Sequence, residues 1–304
     1  SNKYKEMKKK TFSGIFIPVW ICMLIVLSYG HSYSQKRKLV VDQKRVNSSD
    51  YNPGTADQPF LTISKAAAIA QPGDTVFVHA GIYREWVAPA HGGTEGNPVT
   101  YMGAPNENVV IRGSKLYSGK WIRVPGHPRV FFTKIPADFF NGTFNPFKIV
   151  FSKFLGAGNQ GQVFIDDKEI FEAKNEILQS SDKAGKKSII GNSRLNSMYE
   201  QAGSWCTEDG ETIYLHLPEV SAAIQNSVVE FSVRRHLFAP VRRAQNYINL
   251  KGFIFERCAN DPALPQVGAV SCRSGQHWII ENNTIRNIKT IGLDCGAEAE
   301  DPWS

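Results

Sequence analysis

Carboxylates crowd the end of the sequence, where Asp294, Glu298, Glu300 and Asp301 follow the strand-like Ile291-Gly292-Leu293. Hard oxygen ligands at this density could hold Ca²⁺, and Ca²⁺ beside a Lys or Arg base is what elimination from a uronate polymer requires. A solvated acidic loop has the same composition. A second candidate is Glu85-Trp86, where an indole face could stack on a sugar ring and a carboxylate could accept its hydroxyls; core or cap packing would also explain the tryptophan. The third is Phe144-Asn145-Pro146-Phe147, where Asn145 could bind a hydroxyl or simply open an Asn-Pro turn. The candidate binding residues are therefore Glu85, Trp86, Asn145, Asp294 and Glu298. His79 and His216 have no neighbouring Ser, Cys or Asp to form a triad. With no phosphate-binding glycine loop, no Cys-x-x-Cys and no nucleotide fingerprint, redox, nucleotide and zinc chemistry are set aside. No cofactor is expected, and Ca²⁺ enters only with the elimination alternative.

The elements that would carry these residues are short strands. Ile63, Ala66, Ala67 and Ala70 recur at helical spacing before Pro72-Gly73, predicting a small amphipathic helix between Leu61 and Ala70. The segments 75–79, 99–102 and 109–111 read as strands bounded by Gly81, Gly103, Pro105 and Gly113. Residues 248–255 and 278–285 superpose at an offset of thirty, each an apolar strand, a Gly or Asn corner and a second strand. Such units bury an apolar face only by stacking on their neighbours. Asn suits the corner because it tolerates left-handed backbone and can bond to adjacent coils.

The stretch 116–240 differs. It alternates as antiparallel strands do, with an Asp166-Asp167-Lys168 hairpin turn and a Lys- and Ser-rich segment from Ser180 to Ser197, and reads as a β-sandwich inserted in the solenoid. The organisation predicted is an upstream and signal segment 1–34, a cap and first coils 35–115, the insertion 116–240, and further coils 241–304. The fold class is all-β: a right-handed parallel β-helix with an N-terminal capping helix and an inserted antiparallel β-sandwich.

Lys8, Lys9 and Lys10 ahead of the apolar run Ile15 to Leu27, with small residues around Ser34, read as a secretory signal, so export is expected. Contact with a membrane is expected only through that segment. Met7 is a better initiator than Ser1. Removing the signal takes five lysines and Glu6 and lowers the net charge from +7 to +3, which leaves nucleic acid without support as a partner. Cys206, Cys258, Cys272 and Cys295 then remain; a bridge among the last three and buried free thiols both fit.

Pro59-Phe60-Leu61-Thr62-Ile63, Gly73-Asp74-Thr75-Val76-Phe77-Val78-His79, Gly81-Ile82-Tyr83-Arg84-Glu85-Trp86-Val87, Phe144-Asn145-Pro146-Phe147, Val233-Arg234-Arg235 and Trp278-Ile279-Ile280-Glu281 resemble, in order, the N-terminal portion of the β-helix β-xylosidases of glycoside hydrolase family 120. The resemblance runs from about Gly54 to Gly296. It implies a pocket between coils and insertion, an oligo- or polysaccharide substrate derived from xylan, and retaining hydrolysis by two carboxylates on later coils, expected beyond Ser304. The chain would then be a truncated product without its catalytic pair. The alternatives are a Ca²⁺-dependent polysaccharide lyase and a non-catalytic carbohydrate-binding solenoid.

Overall fold

The computed structural model describes residues 36–140, 142, 144–149, 158–173, 177–181, 187–192, 194–219, 223–260 and 267–296. The signal segment, Glu298, Glu300 and Asp301 lie outside the described residues. Strands dominate. First come β1 (Lys38–Val41), β2 (Thr75–Val78), β3 (Gly81–Tyr83), β4 (Val99–Gly103) and β5 (Val109–Arg112), with helix α1 (Ile63–Ile69) between β1 and β2. Next are β6 (Ser114–Tyr117), β7 (Ile122–Arg123), β8 (Val130–Lys134), β9 (Val163–Ile165), β10 (Lys168–Glu172), β11 (Ile177–Ser181), β12 (Lys187–Asn192), β13 (Ser204–Thr207), β14 (Thr212–His216) and β15 (Val229–Ser232), with helix α2 (Arg194–Glu200) before β13. Last are β16 (Ile248–Lys251), β17 (Ile254–Glu256), β18 (Val270–Ser271), β19 (Ile279–Glu281), β20 (Thr284–Arg286) and β21 (Leu293–Asp294).

The chain visits three parallel ladders in turn and then returns to the first. One ladder is β1-β2-β4-β16-β19 and another is β3-β5-β17-β20. The third runs through Val87, Phe238, β18 and β21. Like residues stack from one circuit to the next: Val76, Tyr101, Leu250 and Ile280 on the first ladder, Tyr83, Ile111, Phe255 and Ile285 on the second. The first three of each series are buried, as are Val87, Phe238 and Val270 on the third. All of these nine side chains belong to one apolar core, and each contributes about 1.5–3 kcal/mol by leaving water.

The corners show why Gly and Asn recur. A Cβ on Gly103 would meet the Gly252 carbonyl oxygen at 2.3 Å, so neighbouring circuits touch backbone to backbone there. At the equivalent corner Asn282 has φ +55°, and the Asn283 amide accepts from Phe253 N at 3.0 Å and donates to Leu250 O at 2.8 Å.

Helix α1 starts at Thr62, whose hydroxyl accepts from Lys65 N at 3.1 Å. Its face of Ile63, Ala66 and Ala67, continued by Ala70, is buried in the same core, against β1 and β2. Strand β1 itself was unforeseen, because Leu39-Val40-Val41 is a short apolar run among basic residues. It pairs in parallel with β2 and forms the edge of the first ladder.

The insertion is an eight-stranded sheet, β6-β15-β9-β10-β13-β14-β8-β7, plus the separate hairpin β11-β12. It begins at Ser114 and its last strand ends at Ser232, inside the predicted limits of 116 and 240 at one end and just before them at the other. All its pairings are antiparallel except β10 with β13, which joins two four-stranded antiparallel halves. A purely antiparallel sandwich is therefore corrected to two halves sharing one parallel seam. Their common core has Phe147 between Trp205 on one half and Phe231 on the other, with ring centroids 5.2 and 5.6 Å away. Asp166 and Asp167, both at positive φ, turn β9 into β10 as the hairpin signal predicts. The polar segment before residue 197 contributes β12 and the start of α2.

Candidate functional site

A buried charge cluster joins the insertion to the circuits. Arg84 follows β3, Arg112 ends β5, Glu256 ends β17 and Arg257 comes next at φ +62°; Glu230 projects to them from β15. Arg84 grips Glu230 through two nitrogens, at 2.8 and 3.0 Å. Arg112 Nη1 lies 3.1 Å from Oε1 and Arg257 Nη1 3.0 Å from Oε2, while the Ser114 hydroxyl donates to the same carboxylate. Arg112 Nε and Arg286 Nε each meet Glu256, at 2.6 and 2.8 Å, so charge alternates along the second ladder. Burial alone would raise the Glu230 carboxyl, but hydrogen bonds from Arg84 and Ser114 and the charges of Arg84 and Arg257 outweigh it and hold it at about 2. A carboxylate so clamped carries no proton near neutrality. It serves as a joint rather than as an acid or base.

Of the sequence-derived candidates, Glu85 faces α1. Its two oxygens accept from Ile63 N at 3.0 Å, from Ser64 N at 2.7 Å and from the Ser64 hydroxyl, so it satisfies amides that the first helical turn leaves without partners. The expected sugar contact is thus occupied by a structural one. Replacing Glu85 with alanine is expected to lower stability by about 1–2 kcal/mol in urea unfolding and to leave sugar affinity unchanged; a loss of affinity with stability intact would restore the binding role. Asn145 accepts from Phe147 N at 2.9 Å and donates to Gly210 O at 2.8 Å, so it is chiefly the cap of a short 3-10 turn. It nonetheless lines a cavity of about 530 Å³ in the insertion, with Phe140, Lys134, Lys148 and Glu211.

Trp86 keeps an outward face, being 40% exposed, while its Nε1 donates to Ala239 O at 2.9 Å. Its ring lies 5.3 Å from that of His236. The neighbouring Arg235 guanidinium sits 4.2 Å from the Phe144 ring. These are two separate contacts, Trp86 with His236 and Arg235 with Phe144, carried by the consecutive residues Arg235 and His236 that follow the insertion. His236 Nδ1 is also 3.4 Å from the Gly268 carbonyl, and Gly268 N donates to Asp294 Oδ2 at 2.7 Å. Asp294 is thus linked to His236 through the Gly268 backbone, with its Oδ1 enclosed and without a hydrogen bond. Glu298 is outside the described residues, and among those residues no group of three or more His, Cys, Asp or Glu is placed to hold a metal ion.

A polar seam that the sequence did not single out links the insertion to the circuits. Glu172 accepts from Asn159 N and Arg194 Nη1, each at 2.7 Å. Gln160 donates to Ala259 O at 2.8 Å and Gln162 to Glu169 at 2.9 Å, yet the Oε1 atoms of both glutamines are buried without a hydrogen-bond partner. Burial pushes the Glu172 carboxyl up and the Lys289 amine down, each against the pull of neighbouring opposite charges. Two glutamines spaced by one residue, Gln160 and Gln162, were the available signal; His236 had none beyond its place after Arg234-Arg235.

No family model matches the chain. The uncharacterized protein YwoF of Bacillus subtilis (strain 168) is 40% identical over 75 residues, which make up 25% of this chain and 16% of YwoF. Among solved structures, the complex of XylC with xylose has a TM-score of 0.68 and 31% identity, over 86% of this chain and 42% of XylC. A structure described as a glycoside hydrolase aligns with a TM-score of 0.49 and 15% identity, over 73% of this chain and 50% of that one. The chain spans less than half the length of XylC and a still smaller share of YwoF. By its likeness to XylC the chain has a carbohydrate-active structural relative.

Proposed function

We propose that this chain is the N-terminal part of an exported β-xylosidase-like glycoside hydrolase of the family 120 kind, folded as a right-handed parallel β-helix that carries a sandwich-like insertion. The observation that carries the reading is the likeness to XylC, solved with xylose, at 31% identity over 86% of the chain. The partly exposed Trp86 ring, packed beside His236, supports it, because a flat ring suits the apolar face of a pyranose.

Retaining hydrolysis needs a nucleophile and an acid/base about 5–5.5 Å apart. Glu230 is held ionised by arginines and the oxygens of Glu85 are spent on α1. We therefore place the catalytic pair on coils corresponding to the part of XylC that this chain does not span. The residue present here that binds is Trp86, whose partly exposed ring offers a platform for a sugar face.

The whole protein is expected to release nitrophenol from an aryl β-xyloside with no loss on adding a chelator. Chelator-sensitive formation of an unsaturated product from a uronate polymer, with no xyloside cleavage, would replace the proposal by a lyase. In the same protein Trp86→Ala is expected to weaken xylobiose binding about tenfold, or about 1.4 kcal/mol, with its unfolding midpoint little changed. An unaltered affinity would remove Trp86 from the binding site.

A further inference from the structure

We propose that Cys272 and Cys295 are a disulfide site that staples the third ladder between its last two described circuits. Strands β18 and β21 pair in parallel with Ser271 opposite Asp294, and the pairing continues because Cys272 N donates to Asp294 O at 3.2 Å. Cys272 and Cys295 are the next residues on the two strands. Parallel neighbours lie about 4.7–4.9 Å apart, within the Cα separation of about 4.4–6.8 Å that a disulfide spans. The two sulfurs already face each other at 3.9 Å.

The other thiols do not compete. Cys206 is in the core of the insertion, and burial pushes its thiol up to about 12. Cys258 is fully enclosed, its sulfur donates to the Arg234 and Arg235 carbonyls, and burial pushes its thiol upward as well. Nucleophilic attack requires the thiolate and access. Cys295 is exposed, so it is the first to react.

The oxidant is a small or protein disulfide, represented by oxidised glutathione. The Cys295 thiolate attacks one glutathione sulfur, a Cys295–glutathione bond forms, and the first glutathione leaves as a thiolate. The Cys272 thiolate then attacks Cys295 Sγ and expels the second glutathione. Each cysteine gives up one proton, and the two electrons end on the two glutathione thiols. The bond closes the chain between residues 272 and 295 and holds β21, with Asp294 on it, against β18. This inference stands apart from the proposed activity.

The test is to equilibrate the full chain in mixed reduced and oxidised glutathione, quench with a maleimide and map peptides without reduction. The expected result is a Cys272–Cys295 linked pair in most molecules, a native mass two hydrogens lighter, and a melting temperature several degrees above that of the reduced protein. Cys295→Ser, at an exposed position, should fold normally and abolish all three. Cys206→Ser should retain the link. Free or glutathione-capped Cys295 in the wild type, or linkage to Cys258 instead, would overturn the assignment.

Discussion

Glu230→Gln is expected to lose about 3–5 kcal/mol of stability, because the variant leaves Arg84, Arg112 and Arg257 buried or half-buried around a neutral amide. The two partners inside the circuits, Arg112 and Arg257, have side chains only 8% and 5% exposed, so water compensates little for the lost carboxylate. The same group sets an acid limit. Its folded carboxyl sits at about 2 against an ordinary 4.5, so its contribution is complete above about 4.5 and is lost as pH falls through about 2. The shift corresponds to about 3 kcal/mol. Urea midpoints measured at neutral pH and at several points down to pH 2 should fall more steeply for the wild type than for Glu230→Gln. Parallel curves for the two proteins would show that the joint does not hold the insertion in place.

Phe238→Ala should cost a similar 3–5 kcal/mol. Phe238 follows the insertion, sits between Val87 and Val270 on the third ladder, and is fully buried. Its ring meets Tyr101 edge-on at 4.9 Å and Trp278 at 6.0 Å, so it packs against side chains of two different circuits. A stack of circuits has only nearest-neighbour contacts, and a void in one layer weakens both adjoining layers. The control is Ile279→Ala, at a position 54% exposed, which should change stability by less than about 0.5 kcal/mol. Equal effects of the two substitutions would contradict the core assignment.

Features of short range were readable in the sequence. The thirty-residue offset reappears as the spacing of Asn283 from Phe253, which it bonds, and the Ala66 and Ala67 pattern as the buried face of α1. These follow from periodicity, which is a property of the local chain. What escaped is decided by distant partners. Glu85 could not be recognised as the cap of α1 without knowing that the turn after β3 passes over that helix. Arg84 and Glu230 are 146 residues apart, and the Gly81–Val87 pattern that contains Arg84 says nothing of its partner. From the sequence, the basic cluster of Arg234, Arg235, Arg242 and Arg243 reads as a solvated strand face or a partner for nearby carboxylates rather than a polyanion site, yet Arg234 donates toward the Gly113 and Ser114 carbonyls and Arg235 covers the Phe144 ring. Of the candidate residues, the structure connects Trp86 and Asp294 through His236 and Gly268, and sets Glu85 and Asn145 to helix and turn capping.

The two ends of the insertion meet. Val233 N donates to Gly113 O at 3.0 Å, and Ser114 pairs with Ser232 as the strands leave and return. A unit attached by two adjacent backbone points can be gained, lost or exchanged in evolution while the host circuits keep their register. The constraint on any replacement is electrostatic: it must bring its own acid to the place where Arg84, Arg112 and Arg257 converge, or the host must give up those arginines.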